Sequence, residues 1–266
     1  MLTVDKIKSQ IKVTLVSIKY ALMREMLNKT SFIMNILFMI INNASFLIQW
    51  IILFSLKDNV AGYTFNQVLL LWGIGAGTYG FSHFFFRKAF SLSETIMHGK
   101  LDSYLVQPKS VLLAAITSDV EVAAIGDMLY GYIVLCIAGV TIQRLFLFTL
   151  FMVCGGTIMT AFAVILASLS FWIGRSDMIA DTGNSMMVSF DTYPDGIFKG
   201  IIKAILFTII PVGITTYIPV WVMTDFNIGL ICVVVIATIL VTLLAYMIFY
   251  KGLKRYSSTN LMISKI

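Results

Sequence analysis

Six uninterrupted apolar runs, at residues 32–56, 64–86, 122–141, 145–173, 204–224 and 228–250, constrain this chain more than any other feature of it. Each has at least the roughly 20 residues that an α-helix needs to cross bilayer hydrocarbon, where only a segment that satisfies its own backbone hydrogen bonds is stable. The composition agrees, with 59% of the 266 residues apolar and 12% charged, against roughly 45–50% and about 25% in soluble chains. The expected fold class is an all-α membrane protein with six transmembrane helices, in a single domain over residues 1–266.

Lys and Arg outnumber Asp and Glu by 19 to 13. In a membrane chain such an excess marks cytoplasmic loops and does not call for nucleic acid. Runs one and two are joined by residues 57–63, three and four by a turn at Gln143 and Arg144, and five and six by 225–227, all short; the remaining connections are longer and basic. With both termini inside, 17 of the 19 cations fall on the cytoplasmic side, leaving Lys57 and Arg144 outside. Residues 1–30 carry Lys6, Lys8, Lys12, Lys19, Arg24 and Lys29 around an apolar stripe of Ile7, Ile11, Leu15, Ile18, Leu22 and Met26. Its 3–4 residue spacing predicts an amphipathic helix lying flat on the inner membrane face, in place of a cleavable signal.

The fifth run leaves two readings open. Residues 176–195 contain Asp177, Asp181, Asn184, Asp191 and Asp195, too polar for a lipid-facing crossing. Placed inside, they make 204–224 the span, kinked at Pro211 and Pro219, since each proline removes a helical hydrogen bond. Alternatively residues 176–192 form a protein-buried span and the Pro-rich stretch dips in from outside, with Lys199 and Lys203 external. The charge bias favours the first.

No residue cluster points to catalysis or to a metal. Gly75, Gly77 and Gly80 spell G-x-G-x-x-G, but inside an apolar run, without the strand-to-helix turn that a dinucleotide fingerprint requires. Gly73, Gly77 and Gly80 instead form a smooth helical face for close approach of another helix, within the chain or at a subunit seam. No phosphate-binding G-x-x-x-x-G-K-[ST] loop is present, so ATP energy has to come from a partner. His83 and His98 have no ligand-type neighbours at metal-site spacing, and Cys136, Cys154 and Cys232 read as packing residues. Asp119, Glu121 and Asp127 are the unusual polar group. Either a helix from Val111 keeps the first two wet and takes only Asp127 into the membrane, or all three mark an intramembrane site. Ser91 and Glu94 have capping-box spacing, with Gly99 as a stop, predicting a short cytoplasmic helix over 91–99 whose Leu92, Ile96 and Met97 face lipid headgroups or a partner's groove.

Several segments together resemble the permease subunits of bacterial ATP-binding cassette exporters of the type-2 class. Residues 98–108 (His98-Gly99-Lys100-Leu101-Asp102-Ser103-Tyr104-Leu105-Val106-Gln107-Pro108) are similar to that family's G-x-L-D-x-Y-L-x-x-P element, with Gln107 where Arg is common. Tyr193-Pro194 with Ile197-Phe198, followed by Pro211 and Pro219, resembles its paired proline elements, and the stretch from Gly252 to Ser258 its terminal G-L-x-R-Y-x-S. The resemblance implies a type V exporter-like fold with an N-terminal connecting helix, and a coupling helix at Ser91, Leu92, Glu94, Ile96, Met97 and Gly99 that docks on an ATPase, with Arg87 and Lys88 nearby. It also implies two cytosolic ATPase subunits, a second copy or a similar permease, and location in the bacterial cytoplasmic membrane. No cofactor belongs to this chain; Mg-ATP belongs to the partner. The implied action is alternating access on a hydrophobic or amphipathic cargo (drug, peptide or lipid-like), with Trp50, Phe54, Trp72 and Tyr79 as candidate path residues. The competing readings are an ATP-independent carrier using Asp127 and a non-transporting immunity or scaffold protein.

Overall fold

The computed structural model describes residues 2–107, 109–174 and 176–257, with side chains from Lys8 onward. Pro108 and Ser258 of the sequence elements above, Arg175 and Lys265 of the charge count, and the side chains of Lys6 and Ile7 lie outside the described residues. The helices are α1 Leu2–Glu25, α2 Lys29–Leu56, α3 Phe65–Phe86, α4 Leu92–Met97, α5 Asp102–Leu105, α6 Val111–Ile116, α7 Ala123–Ile137, α8 Ile142–Ser168, α9 Ser170–Ile173, α10 Asp177–Asp191, α11 Gly200–Thr208, α12 Ile218–Thr224 and α13 Ile228–Leu253. The described residues contain no strand beyond an isolated bridge between Val60 and Tyr63.

The helix starts are written in the sequence. Asn28, Thr64, Thr141 and Asn227 each accept a hydrogen bond from the backbone N–H three residues on, opening α2, α3, α8 and α13. At α3 the cap is reciprocal, because Gln67 Oε1 accepts from the Thr64 N–H at 2.9 Å. Such caps satisfy donors that the first turn leaves orphaned and stabilise by about 1 kcal/mol each. Arg144 closes the other side of its turn, donating to the carbonyls of Ala138 and Gly139 beyond the end of α7, where a cation complements the helix dipole.

Four helical stretches are long and apolar enough to cross a membrane: α2, the stretch begun by α3, the stretch begun by α8, and α13. In the middle, α3 buries nearly all its circumference against α7 and α8, whereas α2 buries only Leu47 and Trp50. A helix this apolar over most of its surface yet so little covered by protein is suited to lipid or to a neighbouring subunit. The glycine face of α3 lies inside the chain: a Cβ on Gly73 would meet Gly131 O at 3.3 Å, one on Gly77 would meet Met152, and one on Gly80 would reach Ala124 O at 2.7 Å. This is an intramolecular helix contact, and the alternative of a subunit seam for these glycines falls away.

Residues 57–64, with Gly62 at φ +87°, form the turn end of the bundle. At the opposite, terminal end a second apolar cluster joins Leu92, Ile96, Leu101, Ile116, Val164, Phe171 and Phe249. Helix α1 is tied to this end through Ser110 N–H to Gln10 Oε1 at 3.0 Å, Ser17 to Thr117 O at 3.2 Å, and an Arg24–Asp119 ion pair. Its Ile11 and Leu15 point away from the protein, as a helix resting on a lipid surface requires.

Two expectations are corrected. The first concerns 204–224, where the favoured reading of a kinked crossing gives way to the alternative, with 176–192 running through the bundle and the Pro-rich stretch entering from the other end. Helix α10 leaves the terminal end, where Ser176 bonds Ser170, reaches the level of Gly75 at Asp191, and delivers Gly196 against the carbonyl of Ala61 in the 57–64 turn. Lys203 then binds Asp195, Tyr63 OH donates to Asp195 at 2.7 Å, and Trp221 Nε1 donates to Tyr63 at 3.1 Å. Both arms of the Pro-rich segment are thereby fixed at the turn end. The axis bends by 77° between Gly200–Thr208 and Gly213–Thr224, and Thr215 O lies against Gly155, midway along α8. The segment enters from the turn end and returns to it, taking Lys199 and Lys203 with it. Pro211 sits in the break, and Pro219 follows directly on the π-helical turn Gly213–Tyr217 that leads into α12; neither kinks a continuous crossing. The physical reason is that α10 buries Ala180, Met187 and Asp191 against the bundle, while its Asp181, Asn184 and Ser185 line a cavity and are not pressed against lipid.

The second correction is at 122–141. Helix α7 occupies only Ala123–Ile137, and α6 ends at Ile116. Asp119 and Glu121 therefore lie in a break between two helices, with Asp119 paired to Arg24 and, at 4.0 Å, to Lys88.

Candidate functional site

A cleft of about 390 Å³ opens between α2, α3, α7 and α10. Its aromatic side is Phe46 stacked on Trp72, with centroids 5.6 Å apart, together with Tyr79 and Tyr193. Its polar side is Asn42, Asn43, Gln49, Asp127, Asp191 and Thr192. Helix periodicity explains how α2 contributes, since Asn42, Phe46 and Gln49 are spaced by four and three residues and share one face. On α3, Trp72, Gly75, Ala76 and Tyr79 follow the same spacing, and Gly75 faces Asp191, whose carboxylate would be in ordinary contact, 3.4 Å, with a Cβ there.

Asp127 sits in the second turn of α7 and is 3% exposed, while Asp191 is 7% exposed. Asn43 Nδ2 donates to Asp127 Oδ1 at 2.5 Å, but Oδ2 is buried without a hydrogen-bond partner, as is Trp72 Nε1. Helix α2 is held close enough for the Asn43 bond because Gly126 admits it: a Cβ there would lie 2.5 Å from Ile36 O. Toward the terminal end a further cavity of about 470 Å³ shares Tyr79 and Val188 with the cleft and is lined by Asp181, Asn184 and Ser185 of α10. The His83 ring is stacked between Tyr79 and Phe90, at 3.7 and 3.9 Å, on its wall. The two cavities place polar side chains of α10 along one track beside Tyr79 and Val188.

Of the aromatic residues singled out in the sequence, Trp72 and Tyr79 line the cleft, whereas Trp50 lies against Tyr193 beside it and Phe54 packs on Phe65. Asn42, Asn43, Gln49, Asp191, Thr192 and Tyr193 were not foreseen. The polar residues at one helical face of an apolar run were the available signal for the first three.

The 91–99 segment is helical at α4, and Gly99 with φ +68° ends it, with Lys100 N–H donating back to Thr95 O at 3.0 Å. The capping box is absent. Ser91 has ψ 19°, too far from extended for its hydroxyl to reach the third residue, and Glu94 turns instead to Lys100 at 2.7 Å. Lys100 holds the Glu94 carboxyl below the usual carboxylate range, first by hydrogen bond and then by charge. Leu92 and Ile96 are fully buried in this chain's own terminal-end cluster, correcting the expectation that they face lipid or a partner. Glu94, His98 and Lys100 are the exposed side, with Met97 half-buried. On the buried side, the hydroxyls of Ser93, Ser170 and Ser176 form a chain, 2.8 and then 2.6 Å long, joining α4 through α9 to the start of α10.

Two distant sequence elements meet beside α4: Tyr256 OH donates to Asp102 Oδ1 at 2.9 Å. Burial, and then the bond to Asp102, push the Tyr256 phenol above its ordinary value.

A family model described as ABC-2 family transporter protein matches residues 39–260, which take in the cleft, α4 and the re-entrant segment. No curated protein and no solved structure gives a match.

Proposed function

The chain belongs to the ABC-2 family of transporter proteins and is a multi-pass membrane permease of the kind that associates with ABC ATPases, and from that premise we propose that it is the membrane subunit of an ATP-driven exporter. Six crossings, α2, α3, α7, α8, α10 and α13, carry the path, and α1 rests on the cytoplasmic leaflet. With Lys199 and Lys203 at the turn end, that end holds four of the nineteen cations of the sequence, which supports a cytoplasmic terminal end in a bacterial plasma membrane. A second permease, identical or similar, faces the little-covered α2, and two cytosolic ATPase subunits bind and hydrolyse Mg-ATP.

The exposed side of α4 is the coupling surface. Its buried side transmits the push: Leu92 and Ile96 are wedged into the terminal-end cluster, and Ser93 is bonded through Ser170 to Ser176, the residue before α10. A displacement of α4 when the ATPases close is passed to α10, which lines both cavities, so the packing of α10 against α3 is the two-state element of alternating access. The hydrophobic or amphipathic cargo enters along the track below Tyr79 and leaves past the re-entrant segment. The match over 39–260 carries this reading.

The test is co-purification of the full chain in lipid nanodiscs with cytosolic ATPases encoded beside it, scoring complex formation and stimulated ATP hydrolysis. A stable complex that is lost in the Glu94→Lys, Met97→Asp double variant supports the proposal. A folded chain that engages no ATPase overturns it.

A further inference from the structure

The cleft contains two buried carboxylates and no basic residue to face them. Asp127 and Asp191 lie on its wall, neither forms an ion pair with a described residue, and one oxygen of Asp127 lacks any hydrogen-bond partner. Nor can the sequence supply a cation at this depth. There is no Lys or Arg over residues 30–56, 65–86, 110–143 or 176–198, the stretches that contain the cleft-lining parts of α2, α3, α7 and α10. A second copy set against α2 would bring the same cation-free spans.

A carboxylate withdrawn from water into an apolar bundle is disfavoured unless a positive charge or donors meet it. Asn43 supplies one donor, to Oδ1 of Asp127. The remaining wall is aromatic: Phe46 and Trp72 present a stacked pair, with Tyr79 and Tyr193 nearby. Aromatic faces attract cations and accept apolar bodies equally well. An anion would meet two carboxylates here, and beside a neutral apolar molecule each would have to take up a proton, whereas an organic cation brings the missing charge itself.

We infer that this cleft binds hydrophobic organic cations, with Asp127 and Asp191 as their counter-charges and Trp72 and Tyr79 against their apolar body. This rests on the permease reading and specifies the substrate class of that same path.

Tetraphenylphosphonium and tetraphenylborate match in shape and hydrophobicity and differ in charge, which makes them suitable probes. Radiolabelled tetraphenylphosphonium is titrated against the full chain in nanodiscs of zwitterionic lipid, with protein-free nanodiscs as background. The expected result is saturable binding that excess unlabelled tetraphenylphosphonium displaces and tetraphenylborate does not. Affinity is expected to fall about tenfold in Asp127→Asn or Asp191→Asn, as loss of a charge-assisted contact predicts, and to stay unchanged in Asp225→Asn, a carboxylate of the 225–227 turn. Absence of saturable binding, equal displacement by tetraphenylborate, or unchanged affinity in both Asp127→Asn and Asp191→Asn overturns the inference. The contrast between the two probes uses the unmodified chain, so it stands even if a variant does not fold. Stimulated ATP hydrolysis in the co-purified complex, measured separately, shows whether a negative binding result leaves the permease reading intact.

Discussion

A Cβ built on Gly131 would stand 2.7 Å from the carbonyl oxygen of Gly73, so α3 and α7 meet backbone to backbone. Neither atom is the end of a flexible side chain, and the contact cannot yield without moving a helix. Gly131→Ala is therefore expected to destabilise by about 1–3 kcal/mol and to lower the unfolding temperature in nanodiscs. Gly75→Ala, whose new methyl would sit at 3.4 Å from Asp191 in ordinary contact, is expected to leave that temperature nearly unchanged. Equal losses in the two variants would contradict this account of the α3–α7 contact.

The re-entrant segment makes a statement about sidedness. In a background with Cys136, Cys154 and Cys232 changed to Ser, a cysteine replacing Lys199 is expected to react with a membrane-impermeant maleimide from the same side as one replacing Asp58. A cysteine replacing Lys100 is expected to react only from the opposite side. Reaction of the 199 position together with the 100 position would return the crossing to 204–224.

The serine chain between α4 and α10 provides a coupling variant. Ser170 is buried between two hydroxyls, and its loss leaves both short of a partner, at a cost of about 1–3 kcal/mol. Ser170→Ala is expected to keep ATPase binding, because it does not touch the exposed side of α4, and to lower transport per ATP hydrolysed several-fold. Unaltered coupling would show that α4 reaches α10 by another route.

Acid should loosen α4. The Glu94 carboxyl is held below its ordinary value of 4.5 by Lys100. A carboxyl lowered on folding adds stability that is fully present above its ordinary value and is lost as the pH falls through the lowered one. Hydrogen exchange over residues 92–100, corrected for intrinsic rates, is expected to show protection falling as the pH drops below 4.5. In Glu94→Gln the protection should already be reduced at neutral pH and should change little on acidification. Identical profiles would remove the pair from the stability of this turn.

The long helices were legible because their signal, an apolar run, is local; the caps at Thr64, Thr141 and Asn227 that fix their first residues went unread. The glycine face of α3 was legible as a contact surface, but its partner was not, since the pairing of Gly73 with Gly131 spans 58 residues and leaves no mark on either neighbourhood. Helix α10 stood only as the less favoured of two readings, for a different reason. Hydropathy measures affinity for lipid, and Asp181, Asn184 and Asp191 face cavities and other helices. Pro211 and Pro219 announced that the backbone would break, yet only the convergence of Tyr63, Asp195, Lys203 and Trp221 determines where the pieces go. At Ser91 the spacing was right and the backbone wrong, because cap formation depends on a ψ angle that the packing of Leu92 and Ile96 dictates. The cleft was half legible: Asp127, Trp72 and Tyr79 stood out, while Asn42, Asn43 and Gln49 lay unremarked within a run read only for length.

The re-entrant segment also has an arithmetic of its own. A stretch that enters and leaves by one face adds nothing to the parity of the chain, so α13 starts from the same side whether α10 or residues 204–224 is counted as the crossing. A reporter fused after α13 gives one answer for both arrangements, and so does any tally of cations near the termini. Lengthening or exchanging residues 197–224 should accordingly preserve the direction of α13, whatever it does to the packing of Val212, Tyr217 and Val220 in the core.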